Sequence, residues 1–325
     1  LGTTDVHGHL LPWDYYAGDE EEGGLARVAT LVDSIRQAEP NVLLLDSGDL
    51  LQGSPLDYFY GVVEPADIHP VIRAMNLLAY DAAVLGNHEF NYGLPALDRA
   101  LEDAGFPFLA GNVFVTGTDS LRWPAWTVVE RSGIRIAVLG LTTPGSAIWD
   151  DDNLTGKLEF RDIVGSAERF WPEIEAASDV QVAILHSGMG PGSSYDEAGT
   201  GVPEENAGRR LAETIPGLEV VFLGHSHREL DAERVNGVPL TQAGKWGEAL
   251  AVAEMTLAQE AGGWRVVDVR TEALSTWASG PSRGLSRRFG PITSGSWRTS
   301  RTRSAGPRTS GRRPGPGSRT RPSSI

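Results

Sequence analysis

The chain has 325 residues, is 40% hydrophobic, carries a formal net charge of −15 and contains no cysteine, which excludes disulfides and thiolate metal sites. Residues 1–280 hold 17 basic and 43 acidic side chains, whereas residues 281–325 hold 11 Arg and no acidic side chain. Because so acidic a body repels a nucleic-acid backbone, we expect no nucleic-acid partner and expect phosphate groups to bind through a cation. No apolar run approaches the roughly 20 residues of a membrane span.

Short apolar runs alternate with helical patterns along the body of the chain. Two helical faces are predicted, one from Leu25, Val28, Ala29, Val32 and Ile35 and one from Ile68, Val71, Ile72, Met75 and Leu78. Buried strands are predicted at residues 41–46, 82–86, 134–141, 180–186 and 218–225. This alternation predicts a layered α/β domain.

Three further strands are predicted without helices between them, at residues 238–244, 249–257 and 264–270. We expect them to form the antiparallel end of a second sheet. The folded domain is predicted to end at residue 275.

Residues 276–325 are composed mainly of Arg, Ser, Gly, Pro and Thr. Such a segment cannot bury enough apolar surface to offset its chain entropy, so we predict that it is disordered. Two origins stay open. It is either a basic arm or the product of a shifted reading frame. The chain has 26 Arg and only two Lys, which is typical of GC-rich coding, and a shifted frame in such DNA would give an Arg-rich segment without acidic residues.

Polar side chains follow the predicted strands in five places. Each of these side chains taken alone can also have a purely structural role, as a turn aspartate, an Asx turn or a histidine satisfied by hydrogen bonds. Seven of them are candidate metal ligands because they carry N or O donors at one edge of an α/β sheet, where loops converge: Asp5, His7, Asp49, Asn87, His186, His225 and His227.

Seven donors are too many for one four-coordinate zinc, but they suit two ions that share a carboxylate. A carboxylate has two oxygens and can bridge two ions, whereas an imidazole cannot. We therefore predict a dinuclear metal site. His88 lies next to Asn87 and is expected to face substrate.

The motifs "DVH", "GD", "GNHE", a lone His at 186 and "GHSH" occur in this order between Thr3 and Arg270. In this the chain resembles the calcineurin-like metallophosphoesterases. Longer stretches such as "DSGDLLQGSPLDYF" and "GNHEFNYGL" resemble the 5′-nucleotidase branch, and most closely the N-terminal catalytic domain of bacterial 2′,3′-cyclic-nucleotide 2′-phosphodiesterase/3′-nucleotidases. The resemblance implies a four-layer α-β-β-α sandwich of two mixed sheets flanked by helices.

The resemblance also implies roles for single residues. One metal would be held by Asp5, His7, Asp49 and His227, and the other by Asp49, Asn87, His186 and His225. His88 would be the catalytic histidine. Asn91 stands where many relatives have Asp, so it would accept a hydrogen bond from His88 without supplying a negative charge.

The implied activity is hydrolysis of nucleotide phosphoesters, of 2′,3′-cyclic nucleotides and 3′-nucleotides, by metal-activated hydroxide attack on phosphorus. The two divalent ions would be Zn, Mn, Fe or Co. Alternatives that keep the same residues are a 5′-nucleotidase or nucleotide-sugar hydrolase, and an inactive metal-binding fragment.

The resemblance further implies a periplasmic, cell-wall or secreted location, although the chain shows no signal peptide. Relatives carry a C-terminal nucleotide-recognition domain, which we expect to be missing after residue 275. The first strand is expected to be clipped. The oligomeric state stays open.

Overall fold

The structure is a computed structural model that describes residues 1–65, 68–260 and 263–277. It therefore covers most of the predicted catalytic domain, residues 1–275. The predicted disordered tail, residues 276–325, lies outside the described residues from position 278 onward.

Helices and strands alternate along the described chain. The helices are α1 (Leu25–Ala38), α2 (Pro55–Tyr58), α3 (Pro70–Leu78), α4 (Leu94–Glu102), α5 (Ser146–Trp149), α6 (Asp151–Leu154), α7 (Ile163–Ala177), α8 (Glu197–Thr200) and α9 (Gly208–Thr214). A π-helix spans Phe59–Val63 and a 3₁₀ turn spans His88–Phe90.

The strands are β1 (Gly2–Thr3), β2 (Trp13–Asp14), β3 (Asp19–Glu20), β4 (Leu45–Asp46), β5 (Ala82–Val84), β6 (Phe108–Leu109), β7 (Val113–Val115), β8 (Trp126–Arg131), β9 (Ile134–Thr142), β10 (Leu158–Phe160), β11 (Val180–His186), β12 (Val220–Leu223), β13 (Glu229–Val235), β14 (Val238–Ala243), β15 (Ala249–Glu260) and β16 (Gly263–Ser275). Two six-stranded sheets contain most of them, and the pairs β2–β3 and β7–β10 form small two-stranded sheets.

The first large sheet has the order β16-β15-β1-β4-β5-β6. Strands β1, β4, β5 and β6 are parallel, and β15 pairs antiparallel with β1 and with β16. The second large sheet has the order β13-β14-β12-β11-β9-β8, with a parallel centre and an antiparallel strand at each edge. Both sheets are therefore mixed, as predicted.

Side-chain burial defines four layers. Alternate residues of β5 point to opposite faces: Ala83 belongs to the core under α1, α3 and α4, while Ala82 and Val84 belong to the core between the two sheets. A third core joins the second sheet to α7 and α9. The central strands are buried on both faces, which explains their continuous apolar runs. The predicted α-β-β-α sandwich is confirmed.

Three details of the sequence prediction were wrong. The run at residues 41–46 forms a strand only at Leu45–Asp46. Strands β15 and β16 extend the first sheet beside β1, so they do not end the second sheet. Ile68 is 39% exposed and precedes α3, because Pro70 with its fixed φ begins the helix two residues later.

Among the described helices, none combines the length and the apolar character that crossing a membrane requires.

The two sheets approach each other closely where β6 faces β9. A Cβ atom added to Gly140 of β9 would lie 2.3 Å from the Cβ atom of Leu109 in β6. Leu109 is fully buried in the core between the sheets, so it has no room to move away. The sandwich therefore requires glycine at residue 140.

We expect Gly140→Ala to lower the free energy of unfolding by about 1–3 kcal/mol, since an extra methyl group would push the sheets apart. The matched control is Gly165→Ala. Gly165 is exposed in the first turn of α7, and a Cβ there meets only Asp162 at 3.4 Å. The control should leave stability unchanged or raise it by up to about 1 kcal/mol. Urea unfolding measures both, and equal effects would contradict the close-packing account.

Candidate metal centre

Loops from both large sheets converge at the carboxyl ends of their parallel strands. Asp5 and His7 follow β1, Asp49 follows β4, and Asn87 follows β5 in the first sheet. From the second sheet, His186 ends β11, while His225 and His227 follow β12. The structure thus brings all seven candidate ligands to one place, although they come from opposite halves of the sandwich.

The backbone at this place is unusual. Among the described residues, nine that are not glycine have a positive φ, and five of these are candidate ligands: Asp5, His7, Asp49, His225 and His227. Left-handed backbone is unfavourable for residues with a Cβ and clusters at functional sites, where surrounding structure holds it. Here backbone hydrogen bonds hold it, for example from Asp5 N to Gly48 O at 2.8 Å and from His7 N to Asp49 O at 2.9 Å.

A first ligand group consists of Asp5, His7, Asp49 and His227, whose donor atoms lie within 4.8 Å of one another. His7 Nε2 is 3.1 Å from His227 Nε2. His227 Nε2 is 3.4 Å from Asp5 Oδ1, and His7 Nε2 is 3.9 Å from Asp49 Oδ2.

A second ligand group consists of Asp49, His186 and His225, again within 4.8 Å. Asn87 joins it, because its Oδ1 lies 3.1 Å from His186 Nε2 and 3.0 Å from His225 Nδ1. Asp49 Oδ2 is 3.2 Å from His186 Nε2. Asp49 is therefore common to both groups.

The donor atoms fit divalent cations. His7 Nδ1 and His186 Nδ1 each lie 2.6 Å from a backbone carbonyl oxygen, of Gln52 and Ser47, so each Nδ1 carries the proton and donates. When these rings are neutral, each Nε2 is an acceptor, and it faces further acceptors. Such contacts need a proton or a cation between them, and a mixed N/O set suits divalent transition metals.

The pKa values of His186 and Asp49 also depend on their contact with each other. Burial disfavours a charged His186, but the Asp49 carboxylate raises the pKa of His186 to about 10. Burial alone would raise the pKa of Asp49, yet His186 and the neighbouring imidazoles hold it well below its usual range. Without a cation, a proton on His186 thus balances the Asp49 carboxylate. A bound cation would replace that proton.

Glu89 is a buried carboxylate that holds the Asp49 loop. It accepts hydrogen bonds from the backbone N–H groups of Asp49, Leu50, Leu51 and Gly86, at 2.5–3.1 Å. Burial raises the pKa of Glu89, whereas these N–H groups favour the carboxylate. Sequence reasoning missed this contact because Glu89 and the Asp49 loop are 38 to 40 positions apart in the chain.

Glu205 orients His225. Its Oε1 lies 2.8 Å from His225 Nε2, which leaves Nδ1 for the ligand cluster. Burial opposes ionisation of Glu205, but hydrogen bonds from His225 and from Ser194 N lower its pKa to about 2. No signal in the sequence pointed to this residue, since it lies in a polar loop without periodicity.

His88 and Asn91 lie beside the two ligand groups. His88 Nε2 is 4.0 Å from Asp49 Oδ2, and the His88 side chain is 34% exposed. His88 Nδ1 is 2.6 Å from Asn91 Oδ1, which is the contact predicted for Asn91. Asn91 Nδ2 in turn donates to Asp150, a residue that sequence reasoning did not consider.

His9 and His69 were left unassigned by the sequence. His9 is buried, has its Nδ1 3.1 Å from Val6 O and His7 O, and stacks on Trp246 at 4.6 Å. It therefore supports the loop that carries His7. His69 is buried at the start of α3, where burial lowers its pKa to about 4 and keeps it neutral.

The chain is similar to known phosphoesterases in sequence and in fold. The profile of the family described as calcineurin-like phosphoesterase matches residues 1–229. The chain is 34% identical over 297 residues to the trifunctional nucleotide phosphoesterase protein YfkN of Bacillus subtilis, covering 82% of this chain and 20% of that protein. It is 36% identical over 299 residues to a 2′,3′-cyclic-nucleotide 2′-phosphodiesterase/3′-nucleotidase of Yersinia enterocolitica, covering 84% of this chain and 45% of that protein.

A solved structure is similar over nearly all of its length. The crystal structure of the calcineurin-like phosphoesterase YfkN from Bacillus subtilis superposes with a TM-score of 0.79 at 31% sequence identity. The match covers 89% of this chain and 95% of that one. The chain itself spans less than half the length of the two curated relatives.

The contact between Glu205 and His225 predicts a change in metal affinity. We expect Glu205→Gln to weaken metal binding by about 10–100-fold, because the imidazole loses the negative charge that orients it. The matched control is Glu204→Gln, whose parent side chain pairs with Arg210 at 2.8 Å. Competition with a chromogenic chelator measures both affinities. Equal affinities for the two variants would show that Glu205 does not support a metal ligand.

Proposed function

The chain belongs to the calcineurin-like phosphoesterase family, and we propose that it is a dimetal hydrolase of nucleotide phosphoesters. One observation carries this proposal. Two groups of metal-ligating side chains share the buried carboxylate of Asp49, and the partly exposed His88 lies beside them. That is the arrangement expected of a dinuclear centre with an adjacent proton donor or acceptor.

The proposed ligands divide between two cations. One would be held by Asp5, His7, Asp49 and His227, and the other by Asp49, Asn87, His186 and His225. The chemistry supplied by bound divalent cations is Lewis acidity toward phosphate oxygens and a lower pKa for a coordinated water. Zn, Mn, Fe and Co all suit this donor set.

His88 acts on the oxygens of the phosphoester in this proposal. Its Nδ1 is held by Asn91, and its Nε2 lies 4.0 Å from Asp49 Oδ2 on a side chain that is 34% exposed. When the ring is cationic both nitrogens carry a proton, and Nε2 donates a hydrogen bond or its proton to the oxygen that leaves phosphorus. The backbone N–H of His88 donates to Asp49 Oδ1 at 2.8 Å, which fixes the distance between the histidine and the shared carboxylate.

The names of the relatives support the substrate class. Two of them are a trifunctional nucleotide phosphoesterase and a 2′,3′-cyclic-nucleotide 2′-phosphodiesterase/3′-nucleotidase. We therefore propose 2′,3′-cyclic nucleotides and 3′-nucleotides as substrates. The acidic body would attract such anions only after cations have bound. A periplasmic, cell-wall or secreted location stays a prediction.

We expect His88→Ala to lower kcat for 2′,3′-cyclic AMP by about 10²–10⁴-fold, because the leaving ribose oxygen loses its proton donor. Metal content should stay at the parent level, since no proposed ligand changes. Metal analysis and steady-state kinetics on the same sample check both points. A metal-loaded parent without activity, or a variant as active as the parent, would contradict the proposed function.

Substrate preference is tested on the parent protein. We expect faster hydrolysis of 2′,3′-cyclic AMP and 3′-AMP than of 5′-AMP at equal concentration. The reverse order would identify a 5′-nucleotidase with the same metal centre.

A further inference from the structure

Three side chains form a hydrogen-bonded line that leads away from the metal centre. His88 Nδ1 lies 2.6 Å from Asn91 Oδ1, and Asn91 Nδ2 lies 2.9 and 3.0 Å from the two carboxylate oxygens of Asp150. Asp150 is only 7% exposed. The line thus ends on a nearly buried carboxylate that stands behind the histidine and outside both ligand groups.

Asp150 determines which way the Asn91 amide points. An ionised carboxylate only accepts hydrogen bonds, so it must face the amide NH₂ group. The amide oxygen then faces His88, and because that oxygen also only accepts, His88 Nδ1 must carry a proton. Burial raises the pKa of Asp150, but the hydrogen bond from Asn91 opposes this shift by favouring the carboxylate.

The surrounding fold holds Asp150 in place from both sides. On one side, the ring of its neighbour Trp149 stacks on His225 at 5.4 Å with an interplanar angle of 26°. On the other side, Asp150 O accepts the N–H groups of Asn153 and Leu154 in the first turn of α6. Asn153 Nδ2 donates to Phe90 O at 3.0 Å, so α6 is also tied to the turn that carries His88.

We propose that Asp150 is a positioning residue for His88, which acts through the Asn91 amide and keeps the His88 Nε2 atom directed at the leaving oxygen. This inference rests on the proposed function. Without Asp150 the amide can rotate and offer its NH₂ group to His88 Nδ1, a contact that only a ring without a proton on Nδ1 can accept. The cationic ring that donates from Nε2 then loses the acceptor that fixes its orientation.

The contact with Asp150 also changes the role expected for Asn91. The sequence predicted a site without the negative charge that an Asp at this position would give. The structure supplies a carboxylate one hydrogen bond further away, on Asp150. In this chain the amide of Asn91 contacts His88, and the carboxylate of Asp150 lies behind the amide. In relatives with Asp at this position, a carboxylate would contact the histidine directly.

Exchange of the two side chains tests this order. Asp150→Asn should lower kcat for 2′,3′-cyclic AMP by about tenfold or more while KM changes by less than about twofold, because only the histidine loses its orientation. Asn91→Asp should also lower kcat, since it brings two carboxylates to within about 3 Å of each other. The matched control is Asp152→Asn, an exposed neighbour that should leave kcat unchanged.

The double variant Asn91→Asp/Asp150→Asn is the decisive measurement. It rebuilds the line with the carboxylate next to His88 and the amide behind it, so kcat should return to within about threefold of the parent. In the Asn91→Asp background, Asp150→Asn should therefore raise activity, whereas in the parent it lowers it. A merely structural role for Asp150 would give losses that multiply.

The outcomes separate this inference from the proposed function. If the metal-loaded parent is inactive, the proposed function fails. If the parent is active and Asp150→Asn equals the Asp152→Asn control, Asp150 does not position His88. Multiplied losses in the double variant likewise overturn the inference. Should Asp150→Asn alone not fold, the comparison of Asn91→Asp with the double variant still decides it.

Discussion

The buried carboxylate of Asp49 is the constraint on which the centre depends. It is 1% exposed, takes a left-handed φ of 62°, and lies where the loop after β4 meets β11 and β12 of the other sheet. Both ligand groups contain it. The two sheets must therefore converge at this edge, and the close packing of β6 against β9 without a side chain at Gly140 shows how near they come.

Many acceptor atoms gather around that carboxylate, and the protein holds them through a second set of contacts. Glu89 fixes the Asp49 loop through three backbone N–H groups and its own loop through that of Gly86, and Glu205 fixes His225. The carboxylates of Glu89 and Glu205 add negative charge to a centre that already contains those of Asp5 and Asp49. Bound cations would resolve this conflict, because they would neutralise the acceptors and draw an anionic substrate to an otherwise acidic surface.

The layered α/β domain and the seven candidate ligands could be predicted from the sequence because both leave short-range patterns: apolar runs, and motifs placed where the runs end. The four-layer sandwich was implied by the resemblance of those motifs to a known family. Contacts between distant segments leave no such pattern. Glu205 and Asp150 lie in polar stretches outside the motifs, and Glu89 lies within "GNHE". Only folding brings these three residues to His225, Asn91 and Asp49 respectively. The predicted pairing of the last strands was wrong for a similar reason. The residues of a strand do not determine by themselves that β15 pairs with β1 and not with a strand of the other sheet.

The most direct test of the shared carboxylate is a crystal structure of the protein grown with Mn²⁺, with anomalous data collected to locate the ions. The account predicts two anomalous peaks about 3.5–4 Å apart, with Asp49 in contact with both. His227 should contact one peak and His186 the other. A single peak, or two peaks without Asp49 between them, would contradict the dinuclear centre.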